Sequence, residues 1–303
     1  MYSYSDERVL NILEGSYDLH VHPNPDTKVR AFDDYELLKD LDFLNMAGAV
    51  IKLQQGSTCG RAWIANKYSG AKARLYGSIC MNHGVGGLNP VALEVAVEMG
   101  VKMVWMPTRS SAFDQTFNEE SKRVEGLYIL NEKGKLKKEV YAIMSIIKEN
   151  DLIMSTGHLS LEETVALCKE ARKMDIKTIM THPEYERSYV PLDIQCEMAK
   201  LGVYIEKLWL MVIEINSKTQ KPWISVEGMA ESMKRIGADH VIMGSDGGPI
   251  GYLKAREHRG PFGYPTAREN SYGFVETMLH QGISEQDLKI MMCRNNKELL
   301  GLE

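Results

Sequence analysis

The feature that most constrains the fold is a regular alternation of short apolar segments with longer helical ones, repeated eight times along 303 residues. The predicted strands cover 16–22, 48–54, 73–82, 101–108, 151–157, 178–182, 202–209 and 240–246. Several are apolar almost throughout, which is typical of strands covered on both faces of a parallel sheet. Eight strand–helix units in a chain of this length favour an α/β fold closed into a (β/α)8 TIM barrel over an open doubly wound sheet.

The segments between the strands carry helix and turn signals. Ser160 is followed three residues later by Glu163, the spacing of a capping box at a helix start. Residues 109–138, between the fourth and fifth strands, are interpreted as an inserted hairpin with its tip at Lys133–Gly134, lying over one face of the barrel. A second long loop, 247–269, is rich in glycine, proline and charge. The early strands are not followed by Gly-x-Gly-x-x-Gly, so nothing favours a dinucleotide fold.

Charge and cysteine usage limit the classes of partner and compartment. The net charge is −5 with the two signs interspersed, which argues against nucleic acid or an anionic membrane as the main partner. Neither a signal-peptide pattern nor an apolar run of membrane-spanning length is present. The five cysteines lack Cys-x-x-C spacing and suit a reducing compartment. The sequence therefore predicts one cytoplasmic domain over 1–303 that acts on a small molecule, and it leaves homo-oligomer formation open.

Two histidines, His20 and His22, lie one residue apart in the first predicted strand. Residues at i and i+2 of an extended segment point to the same side, so both imidazoles would lie on one face of the strand and could bind the same metal ion. Such a pair also arises by chance in a chain with eight histidines. The residues that follow the other strands therefore determine whether the pair indicates a metal site.

In a barrel of this class the chemistry lies at the carboxyl ends of the strands. In strand order, the residues that this sequence places there are His20 and His22, Lys52, His83, Arg109, His158, His182, Glu206 and Asp246. Five of the eight histidines belong to this set. Histidines with structural roles would instead be scattered over helices and loops, so the distribution indicates a functional site.

Taken singly, these residues have ordinary structural interpretations. His158 can simply precede a helix, His182 can be a turn residue before a proline, and Asp246 can be a turn aspartate that bonds its own backbone. Taken jointly, two histidines on strand one, one each on strands five and six, and an aspartate on strand eight predict a metal site.

This constellation resembles the amidohydrolase superfamily of metal-dependent barrel hydrolases. Members carry His-x-His on strand one, a histidine on each of strands five and six, and an aspartate on strand eight, which match His20, His22, His158, His182 and Asp246. The stretches "VIKLQQGSTCGRA", "GGLNPVA", "VWMPT" and "STGHLSLEE" resemble a functionally uncharacterised branch of the superfamily. One departure concerns the carboxylated lysine that bridges two metals from strand four in many members, because strand four here ends "VWMPTR".

The resemblance implies a metal-dependent hydrolase with one or two divalent ions, zinc in the first place and manganese as a second option. A metal-activated water would cleave an amide, a lactone or a related bond. Asp246 would ligate the ion, accept the proton of the attacking water and pass it to the leaving group. Arg61, His83, Arg109 and Glu206 are predicted to contact the substrate, with the arginines holding an anionic group. The arginines can equally be solvated loop residues.

Lys52 ends the apolar run "GAVIKLQ" and is predicted to lie level with His22. Lysine is seldom fully buried without a partner. Its neutral amine can react with carbon dioxide to give a carbamate, which would supply from strand two the bridging metal ligand that strand four lacks. Alternatively Lys52 stays protonated and binds an anionic substrate, or it pairs with an acid such as Asp18.

Two other classes of function remain open from the sequence. Phosphoesterases of the polymerase-and-histidinol-phosphatase type also begin with a "DLHVH"-like strand, but their last motif usually ends Asp-x-His. Here Gly248 stands where that histidine would be, which favours the amidohydrolase. The second alternative is a non-catalytic, metal-containing barrel that binds a small molecule or a partner.

Overall fold

The computed structural model describes residues 3–117, 124–249 and 265–302. Its strands are Tyr17–Val21 (β1), Gly48–Ile51 (β2), Arg74–Cys80 (β3), Val101–Trp105 (β4), Ile153–Ser155 (β5), Lys177–Met180 (β6), Tyr204–Leu208 (β7) and Val241–Gly244 (β8). They form one eight-stranded sheet in the order β1 to β8. The sheet closes where residues after β8 bond to β1: Asp246 N donates to His20 O, and His22 N donates to Gly247 O. This is a (β/α)8 TIM barrel, as predicted.

All eight predicted strands are present, but each ends one to three residues earlier than predicted. Polar residues near the ends of the predicted segments, such as His22, Lys52 and His182, follow the last residue of their strand and belong to the loops. The apolar pattern therefore continues past the end of each strand.

Helices lie between the strands. They are Glu7–Leu13 (α1), Asp34–Phe43 (α2), Cys59–Tyr68 (α3), Pro90–Glu98 (α4), Ala112–Gln115 (α5), Lys138–Glu149 (α6), Leu161–Lys173 (α7), Leu192–Lys200 (α8), Leu210–Ile213 (α9), Val226–Ile236 (α10), Ala267–His280 (α11), Glu285–Lys289 (α12) and Asn295–Leu300 (α13). The predicted capping box begins α7, where Ser160 Oγ accepts from Glu163 N and the Glu163 carboxylate accepts from Ser160 N. Within the described ranges, no helix combines the length and apolarity needed to cross a bilayer.

The chain divides into two compact units. Unit 1 comprises Met1–Ile51, Arg61–Tyr76 and Lys207–Glu303, and unit 2 comprises Lys52–Gly60 and Gly77–Glu206. β3 and β7 contribute residues to both units. The single domain expected over 1–303 stays a prediction.

In unit 1, helices cover the outer surface of β1 and β8. Helix α1 buries Val9, Ile12 and Leu13 and contacts α11. The two helices are further joined by a hydrogen bond, in which Asp6 N donates to the hydroxyl of Tyr272 with a separation of 3.0 Å. β1 is buried along its whole length, so both faces of the strand that carries His20 are covered.

In unit 2, one apolar core lies between the strands and their helices. It includes Ile79 of β3, Val104 of β4, Met154 of β5, Ile143 of α6 and Leu167 of α7, all of them less than 3% exposed. A close-packed core between strands and helices keeps the strands rigid, so the polar side chains at their carboxyl ends have fixed positions.

The two long loops of the sequence differ in outcome. In the segment 109–138, Leu130 and Leu136 form an antiparallel bridge and Gly134 adopts a φ of 69°. The inserted hairpin over 109–138 stays a prediction. Residues 118–123 of the insertion lie outside the described residues. The loop predicted over 247–269 is shorter at its end, because α11 already begins at Ala267; its residues 250–264 are also outside the described part.

Gly157, directly before His158, provides a test of how tightly β5 is held. Its φ is 68°, and an added Cβ would lie 2.3 Å from Met106 O. We expect Gly157→Ala to lower the free energy of unfolding by roughly 3 kcal/mol or more, because backbone atoms must move to relieve the overlap. The matched control is Gly70→Ala, where φ is 70° but no atom lies within 4 Å. Its cost should be about 1–2 kcal/mol, the cost of the left-handed conformation alone. Urea unfolding measures both, and equal losses would contradict the close approach.

Candidate metal centre

Unit 1 brings together His20, His22 and Asp246. The Nε2 atoms of His20 and His22 lie 3.3 and 3.2 Å from the same oxygen, Oδ1 of Asp246. Two ligand atoms roughly 2.0–2.1 Å from one tetrahedral zinc ion lie about 3.4 Å apart, so these separations fit a shared ion. The histidines are 0% and 3% exposed and the aspartate 8%. The three residues form a candidate His–His–Asp metal site.

A second carboxylate, Asp18, holds this group in place. It accepts hydrogen bonds from Ser245 N, from the Ser245 hydroxyl and from His20 N. These bonds join the start of β1 to the residue directly before Asp246. Asp246 itself has a φ of 49°, a left-handed conformation that aspartate tolerates better than most residues. The sharp turn after β8 and the pairing to β1 thus direct the Asp246 carboxylate toward both imidazoles.

Unit 2 places His158 and His182 side by side after β5 and β6. Their ring centroids are 5.0 Å apart and both side chains are buried. The backbone of His182 is fixed by Glu206 on β7, because His182 N donates to Glu206 Oε2 with a separation of 3.1 Å. Glu206 is thus observed in contact with the backbone of His182, and its predicted contact with substrate stays a prediction.

The imidazole of His182 is oriented by Ser188. The Ser188 hydroxyl lies 2.7 Å from His182 Nδ1 and 3.0 Å from His182 O. These two contacts join the ring and the carbonyl of His182 to a residue of its own loop and hold the ring in one orientation.

His158 lies against a buried carboxylate, with its Nδ1 2.7 Å from Asp114 Oδ1. Burial lowers the pKa of His158 to about 4 despite the opposing effect of Asp114, so this imidazole is neutral at physiological pH. Burial raises the pKa of Asp114, but the hydrogen bond to His158 and the charges of Arg109 and Arg187 outweigh it and lower that pKa. The pair is therefore a neutral histidine and an ionised aspartate.

Lys52 follows β2 directly and is 1% exposed. Its Nζ lies 3.7 Å from the centroid of the Trp105 ring, which is fully buried at the end of β4. An ammonium over an indole face is stabilised by roughly 2 kcal/mol when both are desolvated. The indole of Trp105 thus ends the strand on which many amidohydrolases carry their bridging lysine.

Arg61 is tied into the loop that follows β1. Its guanidinium makes a two-point contact with the Asp34 carboxylate at 2.7 and 2.9 Å, and it donates to Pro23 O, Asn24 O and Pro25 O. These contacts occupy both sides of the guanidinium fork and give Arg61 a structural role. Its predicted contact with substrate stays a prediction.

The other two residues predicted to contact the substrate are His83, which contacts the segment 109–138, and Arg109, which belongs to it. His83 begins a 3-10 turn after β3, and its Nε2 lies 3.0 Å from Glu125 O. Arg109 has Nη1 3.8 Å from Asp114 Oδ1 and is partly exposed. The predicted contacts of both residues with substrate stay predictions.

Sequence reasoning missed several of the residues that orient the histidines. Asp18 carries a signal, since it shares the strand face of His20 and His22 by the two-residue period. Asp114 and Ser188 carry none, because each contacts its histidine through loop geometry rather than through a spacing within a strand.

Comparison with solved structures identifies barrels of the same kind. The chain is similar to an amidohydrolase from Pseudomonas aeruginosa, with a TM-score of 0.61, 13% identity and 97% of each chain covered. It is similar to dihydroorotase from Saccharomyces cerevisiae, crystallised with 5-fluoroorotic acid, with a TM-score of 0.57, 13% identity and 96% and 85% of the two chains covered. An organophosphorus hydrolase from Deinococcus radiodurans gives a TM-score of 0.58, 11% identity and coverage of 95% and 92%.

These neighbours are 11–13% identical to the chain and share its fold, so they place the chain in the class of (β/α)8 barrels, as expected from the resemblance found in the sequence. Residues 15–206, more than half of the chain, match the profile described as "Family of unknown function (DUF6282)". The chain belongs to this family. A search of the curated proteins gives no match.

The structural role of Arg61 can be tested by stability. We expect Arg61→Met to lower the free energy of unfolding by roughly 3 kcal/mol, because it leaves the largely buried Asp34 carboxylate without its cation. Arg74→Met is the control: Arg74 is exposed, its one hydrogen bond to Asn66 O is 3.5 Å long, and its loss should cost about 0.5 kcal/mol or less. Urea titration of both variants gives the comparison. A loss at Arg61 no larger than at Arg74 would show that the loop does not depend on the pair.

Proposed function

We propose that this protein is a metal-dependent hydrolase that cleaves an amide, a lactone or a related bond in a small anionic substrate. The proposed metal ligands are His20, His22, His158, His182 and Asp246, with zinc as the first candidate and manganese as the second. In a barrel with this strand order, the residues that follow β1, β5, β6 and β8 all lie at the carboxyl end, where the chemistry of such barrels is carried out.

The observation that carries the proposal is the approach of two imidazole nitrogens to one oxygen of Asp246, at 3.2 and 3.3 Å. Two further observations support it. His158 is held neutral by burial, and the Ser188 hydroxyl orients the ring of His182. Neutral, oriented histidines together with a carboxylate are the ligand types that suit zinc.

A divalent ion, when bound, supplies a Lewis acid that makes a water molecule more acidic and polarises a scissile carbonyl. The work of this chain's residues is to place a base beside that water. Asp246 is the group suited to accept its proton, because it is the carboxylate that lies beside both histidines. The same carboxyl can then donate the proton to the leaving group as the bond breaks.

An anionic substrate is favoured by the buried cation Lys52. Its position over the Trp105 ring stabilises the ammonium form, and a carbamate would place a negative charge against the negative face of the indole. This supports the ammonium interpretation over the carbamate bridge. Arg109 is the second candidate for the substrate anion, since its side chain is 28% exposed and near the end of β4.

Metal content provides the first test. After reconstitution with zinc or manganese and removal of excess ion, elemental analysis should find one or two ions per chain. His20→Ala and Asp246→Ala should each weaken metal binding by at least about 10-fold, because each removes a ligand. His280→Ala is the control, at the exposed end of α11. A wild-type protein without stoichiometric metal would remove the basis of the proposal.

Activity is tested on the loaded protein with panels of lactones, N-acyl amino acids, cyclic amides and phosphate esters. Turnover of one of the first three classes, lowered by about 100-fold or more in Asp246→Ala but not in His280→Ala, is the expected result. Hydrolysis of phosphate esters alone would favour the phosphoesterase. Metal binding without turnover of any class would favour a binding protein.

Lys52 is tested with a nearly isosteric neutral side chain. Lys52→Met should keep the wild-type metal content and raise KM for an anionic substrate relative to a neutral analogue, because only the cation is lost. Lys52→Glu serves as the opposite case, since a carboxylate could stand in for a carbamate bridge. Loss of metal in Lys52→Met, restored in Lys52→Glu or by added bicarbonate, would show that the carbamate is the correct interpretation.

A further inference from the structure

We propose that Asp114, in the segment inserted after β4, is a positioning residue that fixes the tautomer and orientation of His158. The consequence for metal binding rests on the proposed function. The effect on the histidine itself does not, because it can be measured in the metal-free protein.

The contact between the two side chains determines where the ring proton lies. Asp114 Oδ1 is 2.7 Å from His158 Nδ1, and the two side chains are 0% and 4% exposed. An ionised carboxylate has no hydrogen to donate, so Nδ1 must be the donor and Nε2 carries the lone pair of the neutral ring. In water an imidazole exchanges between its two tautomers, whereas here the buried acceptor selects one.

The backbone of His158 is tied to the same segment. Ser111 begins α5 as its N-cap, accepting from Asp114 N at 2.9 Å, and its hydroxyl donates to His158 O. His158 N donates to Pro107 O at 3.0 Å. The segment from Pro107 to Asp114 therefore holds the histidine at its amide, its carbonyl and its ring, which leaves the side chain little freedom to rotate.

The second oxygen of Asp114 is directed elsewhere. Arg187 Nη1 lies 3.3 Å from Oδ2, and Arg187 belongs to the loop after β6. A buried carboxylate needs cations beside it, and Asp114 has Arg187 at Oδ2 and Arg109 Nη1 3.8 Å from Oδ1. Arg187 donates its hydrogen bond to Oδ2, whereas the shortest contact of Oδ1 is the one with His158.

The arrangement differs from that of the neighbouring ligand. His182 is oriented by Ser188, six residues later in its own loop, whereas His158 is oriented by a residue 44 positions earlier in the insertion. A disturbance of the insertion should therefore affect His158 and leave His182 in place. This gives the inserted segment a direct connection to one metal ligand.

The test uses the full chain labelled with ¹⁵N-histidine. At a pH where the imidazoles are neutral, long-range ¹H–¹⁵N spectra of the metal-free protein report which ring nitrogen carries the proton, and His158→Gln assigns the signals. We expect His158 in the Nδ1–H form in the wild type and in Gln115→Ala, a control on the same helix whose side chain bonds Val124 O instead. Asp114→Ala should lose this single tautomer, and His182 should keep its own.

Zinc affinity is measured on the same variants by competition with a chromogenic chelator. Asp114→Ala should weaken binding by about 10- to 100-fold, the usual cost of removing a carboxylate that orients a ligating histidine. Ser111→Ala, which removes the bond to the His158 carbonyl, should give a smaller loss and serves if thermal unfolding shows that Asp114→Ala is not folded.

Three results would overturn the inference. The first is an unchanged His158 tautomer in Asp114→Ala. The second, which applies if Asp114→Ala is not folded, is an unchanged zinc affinity in a folded Ser111→Ala variant. The third is a loss of zinc affinity in Gln115→Ala as large as that in Asp114→Ala. If the wild type binds no zinc, the proposed function fails, but the tautomer in the metal-free protein still decides the role of Asp114.

Discussion

The candidate site depends first on the closure of the sheet between β8 and β1. Parallel strands exchange evenly spaced backbone hydrogen bonds, and here the ladder continues past both strand ends, through Asp246 N to His20 O and His22 N to Gly247 O. These bonds set the register in which the aspartate meets the two histidines. Asp18 adds a side-chain connection at the same place, and its buried carboxylate is satisfied by donors from Ser245 and His20. The bonds that close the sheet therefore also set the relative positions of His20, His22 and Asp246.

Burial determines the protonation of a histidine and the partners that it needs. A buried histidine loses its charged form, as the lowered pKa of His158 shows, and a neutral ring needs an acceptor for its one N–H. Asp114 supplies that acceptor for His158, and the Ser188 hydroxyl contacts Nδ1 of His182. Both imidazoles are therefore held in defined orientations by residues outside their strands.

Arg61 and Lys52 have different kinds of partner. Arg61 is satisfied by a carboxylate and three carbonyls, and its contribution is to the shape of the loop after β1. Lys52 is buried with its Nζ 3.7 Å from the centroid of the Trp105 ring. An aromatic face stabilises an ammonium group through its quadrupole, so this contact differs in kind from the guanidinium–carboxylate pair of Arg61 and Asp34.

The sequence by itself determined the barrel, because eight apolar segments alternating with helices leave few other ways to bury so much apolar surface. It also determined which polar residues follow each strand, since a period of two and the end of an apolar run are visible in the letters. His20, His22 and Asp246 were found in this way. What the sequence could not determine is how His158, His182 and the loop after β1 are held in place. The contacts of Asp114 with His158, of Ser188 with His182 and of Arg61 with three consecutive carbonyls depend on how loops fold back. Loop geometry leaves no periodic pattern, and only the tertiary structure brings these residues, which are between six and 44 positions apart in the chain, within hydrogen-bonding distance.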